Sequence, residues 1–235
     1  MLEINKIHLG DCYQLIKEIP DKSVDLVHTD PPYLIHAGGS GGCFGKGDRI
    51  YHDELTAISN GVDNSILVEL CRVMKKINIY LWCNKNQLGQ YISFFEARGC
   101  ATELLTWHKT NPIPTCNNKY LSDTEYCLFF REKGVPIYGE FKTKQKYYVT
   151  GLNVKDKGIW EHPTIKPLGI VKNLIFNSTQ PGDLVLDCFS GSGTTALASS
   201  QLGRNFIAIE IDEKYHSLSI QRLEADQSQQ KLFQL

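Results

Sequence analysis

The segment that decides the fold lies near the carboxyl end of the chain and reads DLVLDCFSGSGTTALASSQLGRNFIAIE, residues 183–210. An apolar run at residues 184–186 predicts a buried strand, Gly191-Ser192-Gly193 predicts a turn, and the helical stretch after the turn ends at Gly203. A second apolar strand follows and ends at Glu210. This order of elements is typical of a nucleotide-binding βαβ unit, in which glycines let the backbone approach the ligand and the acid binds ribose hydroxyls.

The residues after the glycines restrict the class of nucleotide. The dinucleotide fingerprint needs a third glycine in register, but Thr194-Thr195-Ala196 stands there instead. A P-loop is excluded because no Gly-Lys-Ser/Thr sequence follows the glycines. The segment therefore predicts an adenosine-type cofactor that need not carry a pyrophosphate. The alternative is a structural glycine turn, which any α/β protein can contain.

A second unusual segment, Asp30-Pro31-Pro32-Tyr33, follows directly on a predicted strand at Val24–His28. Two consecutive prolines are stiff and donate no backbone hydrogen bonds, so they hold Asp30 and the neighbouring carbonyls as a rigid set of acceptors. An amino group offers two hydrogens, which a carboxylate and a carbonyl can accept together. The Tyr33 ring offers a flat surface on which a base can stack. The alternative is a plain turn at the end of a strand.

The rest of the chain alternates strand-like and helical patterns, which predicts one α/β domain over residues 1–235 with a mostly parallel twisted sheet and helices on both faces. Glycines make residues 34–61 a predicted mobile loop, which we expect to close over a substrate held beside Tyr33. Residues 132–160 are rich in lysine, and we expect them to be irregular. The other predicted strands are Lys6–Leu9, Ile77–Cys83, Thr102–Trp107 and Glu125–Arg131, and predicted helices begin after Asp11 and cover residues 64–74 and 88–95.

Composition excludes several classes of protein. The eight cysteines form no Cys-x-x-Cys pair or Cys/His cluster at zinc spacing, so we expect neither a metal site nor a disulfide framework. No apolar run approaches the roughly 18 residues of a transmembrane helix, and the first residues lack a signal-peptide pattern, so we expect a cytoplasmic protein. The formal net charge is −1, so any surface that binds nucleic acid must be local.

Together, the two segments resemble the motifs of the amino-methylating DNA methyltransferases, Asp/Asn/Ser-Pro-Pro-Tyr/Phe and Phe-x-Gly-x-Gly. Because the catalytic motif comes first, the chain resembles the circularly permuted beta group, whose fold is the Rossmann-like class I methyltransferase fold. Residues 6–33 resemble the usual opening of that group, and His162–Pro167 resembles its His-Pro-Thr-x-Lys-Pro segment. The sequence departs from the pattern at Cys188, where proline is common, and at Ile165, where glutamine is frequent.

The resemblance implies methyl transfer from S-adenosylmethionine to the N6 amino group of adenine in double-stranded DNA, after the base has been flipped out of the helix. The implied catalytic residues are Asp30, Pro31, Pro32 and Tyr33. The implied cofactor-binding residues are Asp11, Cys12, Asp30, His162, Thr164, Lys166, Asp187, Phe189, Ser190, Gly191, Gly193, Thr194 and Glu210. Residues 132–160 are a candidate DNA-contacting insertion. The candidate DNA-contacting residues are Lys142, Lys144, Lys146 and Tyr147 in this insertion, together with Asn111, Asn118 and Lys119.

Three other functions stay open from the sequence. Cytosine carries a similar amino group, although Asp rather than Ser at position 30 favours adenine within the family. RNA or a protein amide could be the methyl acceptor, and the chain could be a catalytically silent DNA-binding subunit with a methyltransferase fold. The resemblance also allows a homodimer and a restriction endonuclease partner.

Overall fold

The computed structural model describes residues 1–34, 61–112, 120–152, 158–160 and 165–232. Nearly all of the predicted mobile loop, residues 35–60, lies outside the described residues. The strands are β1 (Lys6–Leu9), β2 (Leu26–Thr29), β3 (Asn78–Cys83), β4 (Ala101–Lys109), β5 (Thr124–Arg131), β6 (Tyr147–Thr150), β7 (Leu184–Asp187) and β8 (Asn205–Glu210). The helices are α1 (Cys12–Leu15), α2 (Asn64–Val73), α3 (Leu88–Glu96), α4 (Leu168–Ser178), α5 (Thr194–Gln201) and α6 (Glu213–Leu232), and a 3-10 turn, Ile16–Glu18, follows α1.

The eight strands form one sheet in the order β1-β8-β7-β2-β3-β5-β4-β6. Within the described chain, β5 alone runs against the other strands, as its antiparallel pairing with β3 and β4 shows. From β7 the chain continues outward to β8, whereas from β2 it continues in the opposite direction to β3. The boundary between β7 and β2 is therefore the topological switch point, where open α/β sheets bind ligands beyond the carboxyl ends of the strands.

The beginning and the end of the chain meet in this sheet, as the predicted permuted order requires. β1 pairs in parallel with β8, with Lys6 opposite Ile207 and Leu9 opposite Glu210. The Gly10 amide, just beyond β1, donates to the Glu210 carbonyl at 2.8 Å. The two halves of the sequence therefore contribute to one continuous sheet.

Helices cover both faces of the sheet, as predicted. The first three helices pack on one face around a core that contains Ile16, Leu67 and Phe95. α4 covers the other face through residues such as Val171 and Ile175. Local signals start the helices, since the Asp11 carboxylate accepts from the Tyr13 amide at 2.9 Å and caps α1.

The prediction that residues 132–160 are irregular is wrong for β6. Tyr147–Thr150 pairs in parallel with β4, and the Thr106 amide donates to the Lys146 carbonyl at 2.8 Å. Tyr148 packs against the core, and its hydroxyl accepts from Asn173 Nδ2 at 2.8 Å. The strand has only four residues and directly follows exposed lysines, so its alternating pattern was too short to stand out in the sequence.

No helix among the described residues is long and apolar enough to cross a membrane.

Gly193 should be far less replaceable than Gly203, although both adopt left-handed backbone conformations, with φ +73° and +69°. A Cβ on Gly203 meets nothing within 4 Å, whereas a Cβ on Gly193 would lie 2.9 Å from the Cβ of buried Ser219. We expect Gly203→Ala to cost about 1 kcal/mol of unfolding free energy through backbone strain alone, and Gly193→Ala to cost roughly 2–4 kcal/mol. Urea unfolding measures both losses, and equal losses would contradict the close approach of α6 to the turn.

Candidate active site

The two sequence motifs meet at the switch point because β2 and β7 are neighbours, with Leu26 opposite Val185. A buried carboxylate ties the strand ends together. Asp187 Oδ1 accepts from the Thr29 hydroxyl at 2.7 Å and from the Phe189 amide at 3.1 Å. Burial raises the pKa of Asp187 to about 6, although hydrogen bonds from Thr195 and Thr29 oppose the shift. Asp187 therefore links the strand that leads to Asp30 with the start of the glycine turn.

Glu210 holds the other side of the glycine turn. Its Oε2 accepts from the Gly191 amide at 2.6 Å, and its Oε1 accepts from the Asp212 amide at 2.9 Å. Burial raises the pKa of this carboxyl, while the backbone hydrogen bonds from Asp212 and Gly191 oppose the shift. Each carboxylate oxygen keeps a further lone pair, so Glu210 can fix the turn and still accept from a ribose hydroxyl.

The residues around this turn fit an adenosine-type cofactor. The Ser190 hydroxyl oxygen is buried and has no hydrogen-bond partner among the described residues, so its hydrogen-bonding capacity is unused within this turn. Phe189 is half-buried against the cluster that contains Cys12 and Ile209. Gly191 has φ +50°, a conformation that brings its backbone close to a ligand without the hindrance of a side chain.

The predicted cofactor residues Asp187, Phe189, Ser190, Gly191 and Gly193 lie in or beside this turn, and Glu210 binds it. Asp11 and Cys12 lie at the start of α1, just after Gly10, whose amide donates to the Glu210 carbonyl. Thr194 follows the turn, but its hydroxyl accepts from Arg222 Nη1 of α6 at 2.9 Å. Lys166 donates to Asp30, which was itself predicted to contact the cofactor. His162 and Thr164 lie outside the described residues.

Asp30 belongs to a cluster of four charged side chains. The Lys166 ammonium donates to Asp30 Oδ2, to Glu125 Oε2 at 3.0 Å and to the Tyr33 hydroxyl at 3.2 Å. Glu125 in turn pairs with Lys109 at 2.6 Å. From one contact to the next, the order of the four side chains is Asp30, Lys166, Glu125 and Lys109. Their charges alternate in sign, and the net charge is zero.

The electrostatic balance keeps Glu125 and Lys166 ionised. Burial raises the pKa of Glu125, but Lys166 and Lys109 outweigh it and lower that pKa to about 2. Burial lowers the pKa of Lys166, but Asp30 and Glu125 outweigh it and leave the pKa above its ordinary value. For Asp30, burial raises the pKa, Lys166 opposes the shift and Glu125 adds to it. Burial therefore outweighs Lys166 at Asp30, and the pKa of this carboxyl lies above its ordinary value.

The backbone after Asp30 is fixed from the other side by the start of α3. Gln87, which is fully buried, donates from Nε2 to the Pro32 carbonyl at 2.9 Å. Asn84 Nδ2 donates to the Leu34 carbonyl at 2.8 Å. The rigid segment predicted from the two prolines is thus also held by side-chain amides, which leaves little freedom for Asp30.

A buried histidine supports the site from below. Trp82 Nε1 donates to His28 Nε2 at 3.1 Å, and His28 Nδ1 lies 2.9 Å from the Thr195 hydroxyl oxygen. Burial, with a contribution from Lys166, lowers the pKa of His28 to about 3, so the ring is neutral. Since Trp82 can only donate, Nε2 must accept and Nδ1 must carry the proton. His28 therefore joins β2, β3 and α5 beneath the two motifs.

The candidate DNA-contacting residues lie in two places. Lys142, Lys144, Lys146 and Tyr147 are exposed, and Lys146 pairs with Glu103. The Thr143 carbonyl accepts from Asn173 and Asn177, so the lysine segment lies beside the carboxyl half of α4. The contact is on the order of 10–15 Å along α4 from the start of the helix, which is near Lys166. Asn111 lies just beyond the carboxyl end of β4, on the same edge of the sheet as Asp30, and its side chain accepts from the Leu152 amide at 2.6 Å. Asn118 and Lys119 lie outside the described residues.

Sequence reasoning missed Glu125, Lys109, His28 and Gln87. The one available signal was a carboxylate at the start of an otherwise apolar strand, because Glu125 precedes the buried run of β5. No group of three or more His, Cys, Asp and Glu in the described part of the chain could hold a metal ion.

The fold and the site together define a class I methyltransferase, with a permuted order of motifs around one switch point. Comparison with known proteins gives the family. A family of N6/N4 methyltransferases described as "DNA methylase" matches residues 24–221. The chain therefore belongs to this DNA methylase family, and it is an enzyme that depends on S-adenosylmethionine.

Individual proteins agree with this assignment. The chain is 30% identical to the type II methyltransferase M2.LlaDCHI of Lactococcus lactis subsp. cremoris, over 91% of this chain and 87% of the relative. The solved complex of M1.HpyAVI with S-adenosylmethionine superposes with a TM-score of 0.68 and 25% identity, covering 93% of this chain and 98% of the other. The PvuII DNA methyltransferase, described as cytosine-N4-specific, superposes with a TM-score of 0.70 over 92% of this chain and 85% of the other, but at 18% identity it shows the fold alone.

Glu210→Ala should weaken cofactor binding by roughly 1–3 kcal/mol, because a ribose contact is lost and the Gly191 amide loses its acceptor. Isothermal titration with S-adenosylmethionine measures the loss. Glu213→Ala, which removes an exposed carboxylate three residues later, is the matched control and should bind like the wild type. An unchanged dissociation constant for Glu210→Ala would remove this residue from the cofactor site.

Proposed function

We propose that this chain transfers the methyl group of S-adenosylmethionine to the N6 amino group of adenine in double-stranded DNA. One observation carries the proposal: Asp30 and the Phe189–Gly193 turn follow two adjacent strands at the switch point, so an amine on Asp30 lies next to a cofactor in the turn. Membership of the DNA methylase family supports DNA as the substrate. The aspartate at position 30 favours adenine over cytosine.

The mechanism requires the chain to position a weak nucleophile. When bound, S-adenosylmethionine supplies a methyl group that is activated by the positive sulfur. Asp30 and the Pro31 carbonyl accept the two amino hydrogens of the base and direct the nitrogen lone pair toward that methyl group. Tyr33 stacks on the flipped base and recovers part of the unstacking cost, which is a few kcal/mol. The side-chain amides on the Pro32 and Leu34 carbonyls keep this arrangement rigid.

The cytosine N4 amino group is the alternative acceptor. It presents the same two hydrogens, and the PvuII enzyme shares the fold. The two functions use the same site and differ in the nucleoside that carries the methyl group.

The proposed DNA contacts and protein partners follow from DNA being the substrate. We propose that DNA lies at the edge of the sheet beyond Asp30, where it meets Asn111. Asn118 and Lys119, which lie outside the described residues, stay candidate DNA contacts. We propose that Lys142, Lys144 and Lys146 add phosphate contacts farther from the base. We also propose a homodimer, a restriction endonuclease partner and a cytoplasmic location. The type II name of the relative and the DNA substrate support the two partners, and the free cysteines among the described residues support the location.

Asp30→Ala should abolish methyl transfer to DNA while cofactor affinity stays within a few-fold, because the carboxylate acts on the target amine. Asp30→Asn keeps an oxygen acceptor and should retain measurable activity, since Asn occurs in the same motif of the family. Transfer of labelled methyl groups to duplex DNA measures both variants. Turnover by Asp30→Ala close to that of the wild type would refute the catalytic assignment.

Replacing Lys142 and Lys144 with Ala should weaken DNA binding without changing the maximal rate of methyl transfer, because their contacts are with phosphates and not with the base. Each lost contact should reduce the slope of log K against log salt concentration by up to about 0.9. The salt dependence of binding to a labelled duplex measures the slope, and Lys133→Ala is the control on another surface. An unchanged slope would show that DNA lies elsewhere.

A further inference from the structure

We propose that Lys166 is a positioning residue shared by two carboxylates, and that Glu125 takes over its ammonium when the target amine reaches Asp30. The inference rests on the proposed function, because it concerns how Asp30 receives an amino group. It gives roles to Glu125 and Lys109, which belong to none of the family motifs, and a further role to Lys166, which belongs to the His162–Pro167 motif.

The geometry of the cluster suits such an exchange. An ammonium has three hydrogens, and Lys166 has three acceptors: Asp30 Oδ2, Glu125 Oε2 and the Tyr33 hydroxyl. Its side chain is only 7% exposed, so it cannot turn to water if one acceptor is withdrawn. With Glu125 in place it can leave Asp30 and still keep an ionic partner and a hydroxyl.

The incoming amine competes with Lys166 for the same oxygen. Asp30 Oδ1 is buried without a partner among the described residues, while the Asp30 side chain as a whole is 24% exposed. An amine that approaches from the open side therefore meets Oδ2, where Lys166 now donates. Unless the ammonium moves, Asp30 cannot accept fully from the substrate.

The movement of charge during the reaction explains why the Lys166 ammonium must leave Asp30 but remain beside Glu125. The nitrogen lone pair forms a bond to the methyl carbon, the sulfur–carbon bonding pair returns to sulfur, and the positive charge passes from sulfur to nitrogen. The nitrogen then releases a proton to the Asp30 carboxylate, which passes it to water. Before the base arrives, Lys166 favours the ionised form of a buried Asp30 by opposing the effect of burial on its pKa. During transfer, an ammonium drawn toward Glu125 leaves the negative charge of Asp30 to the reacting nitrogen.

Lys109 completes the arrangement. It pairs with Glu125 at 2.6 Å, and the side chains of both residues are only 14% exposed. Without Lys109, Lys166 would be the one close cation of Glu125 among the described residues, and Glu125 would bind it more strongly. Lys109 therefore moderates the competition between the two carboxylates, which lets both hold Lys166 in the free enzyme.

The pH dependence of turnover can separate positioning from a merely structural role. The titratable groups that face Asp30 are Lys166, Glu125, Tyr33, Tyr91, Asp187, Cys83 and Cys127. Burial raises the pKa of Cys83 to about 12 and that of Cys127 well above its ordinary value, so both thiols stay neutral. Asp187 is present in every variant below, so differences between the profiles report on Asp30.

The experiment is the pH profile of kcat, at saturating cofactor and duplex DNA, for the wild type, Lys166→Met and Glu125→Gln. An ionised Asp30 accepts more strongly than a neutral one and can take the proton that the nitrogen releases, so activity falls as pH drops through its pKa. Lys166→Met removes the cation that lowers this pKa, and we expect the acid limb to move up by one pH unit or more, with activity partly restored at high pH. Glu125→Gln removes an anion and leaves Lys166 on Asp30, so the acid limb should move down and the plateau should fall tenfold or more.

Two controls keep the result interpretable. Lys166→Arg preserves the charge and should keep the acid limb within about half a pH unit of the wild type, while Lys172→Met removes a charge from α4 itself and should leave the profile unchanged. If Lys166→Met does not fold, as judged by thermal melting and cofactor binding, the downward shift in Glu125→Gln decides alone. Uniform losses with unmoved limbs, or shifts in the same direction, would overturn the proposal. A wild type that methylates no DNA would instead refute the proposed function.

Discussion

The parallel pairing of β2 with β7 is the constraint on which the rest of the structure depends. These strands are far apart in the chain, yet their carboxyl ends deliver Asp30 and the glycine turn to one place. Asp187 secures the junction, because its carboxylate accepts from Thr29 on one side and from the Phe189 amide on the other. The buried hydrogen bonds of His28 add links from β2 to β3 and to α5. Precise alignment of two reacting groups needs such a rigid base.

The charged cluster is the second feature that distinguishes this site from a plain nucleotide-binding fold. Four ionised side chains below a substrate pocket are costly to bury unless they are paired. Here each charge has an opposite neighbour, and the alternating order ends at Asp30, the one carboxylate that is partly open. The Lys166 ammonium therefore reduces the cost of a charged Asp30, although burial still holds the pKa of this carboxyl above its ordinary value.

Local patterns in the sequence predicted most of the fold and the two motif loops. Asp11 signalled the start of α1, Gly99 and Gly203 marked helix ends, and the βαβ unit around Gly191 was legible from its order of elements. The family resemblance placed the catalytic segment before the cofactor segment, and the sheet order agrees.

What the sequence did not reveal depends on contacts between distant residues. Glu125 and Lys166 are 41 positions apart and meet only because the start of β5 and the segment before α4 converge near Asp30, beyond the end of β2. Lys166 was predicted at the cofactor because its motif neighbours implied that place, and the structure adds a contact that the motif did not imply, between its ammonium and Asp30. β6 escaped notice because four residues are too few for a clear period, and its partner β4 is about 40 residues away.

The central claim is that the amine on Asp30 belongs to adenine. The most direct test incubates the wild-type protein with unmethylated duplex DNA and S-adenosylmethionine carrying a labelled methyl group, digests the DNA to nucleosides and separates them. The account predicts label in N6-methyl-2′-deoxyadenosine and in no other nucleoside. Label in N4-methyl-2′-deoxycytidine, or in no nucleoside at all, would contradict it.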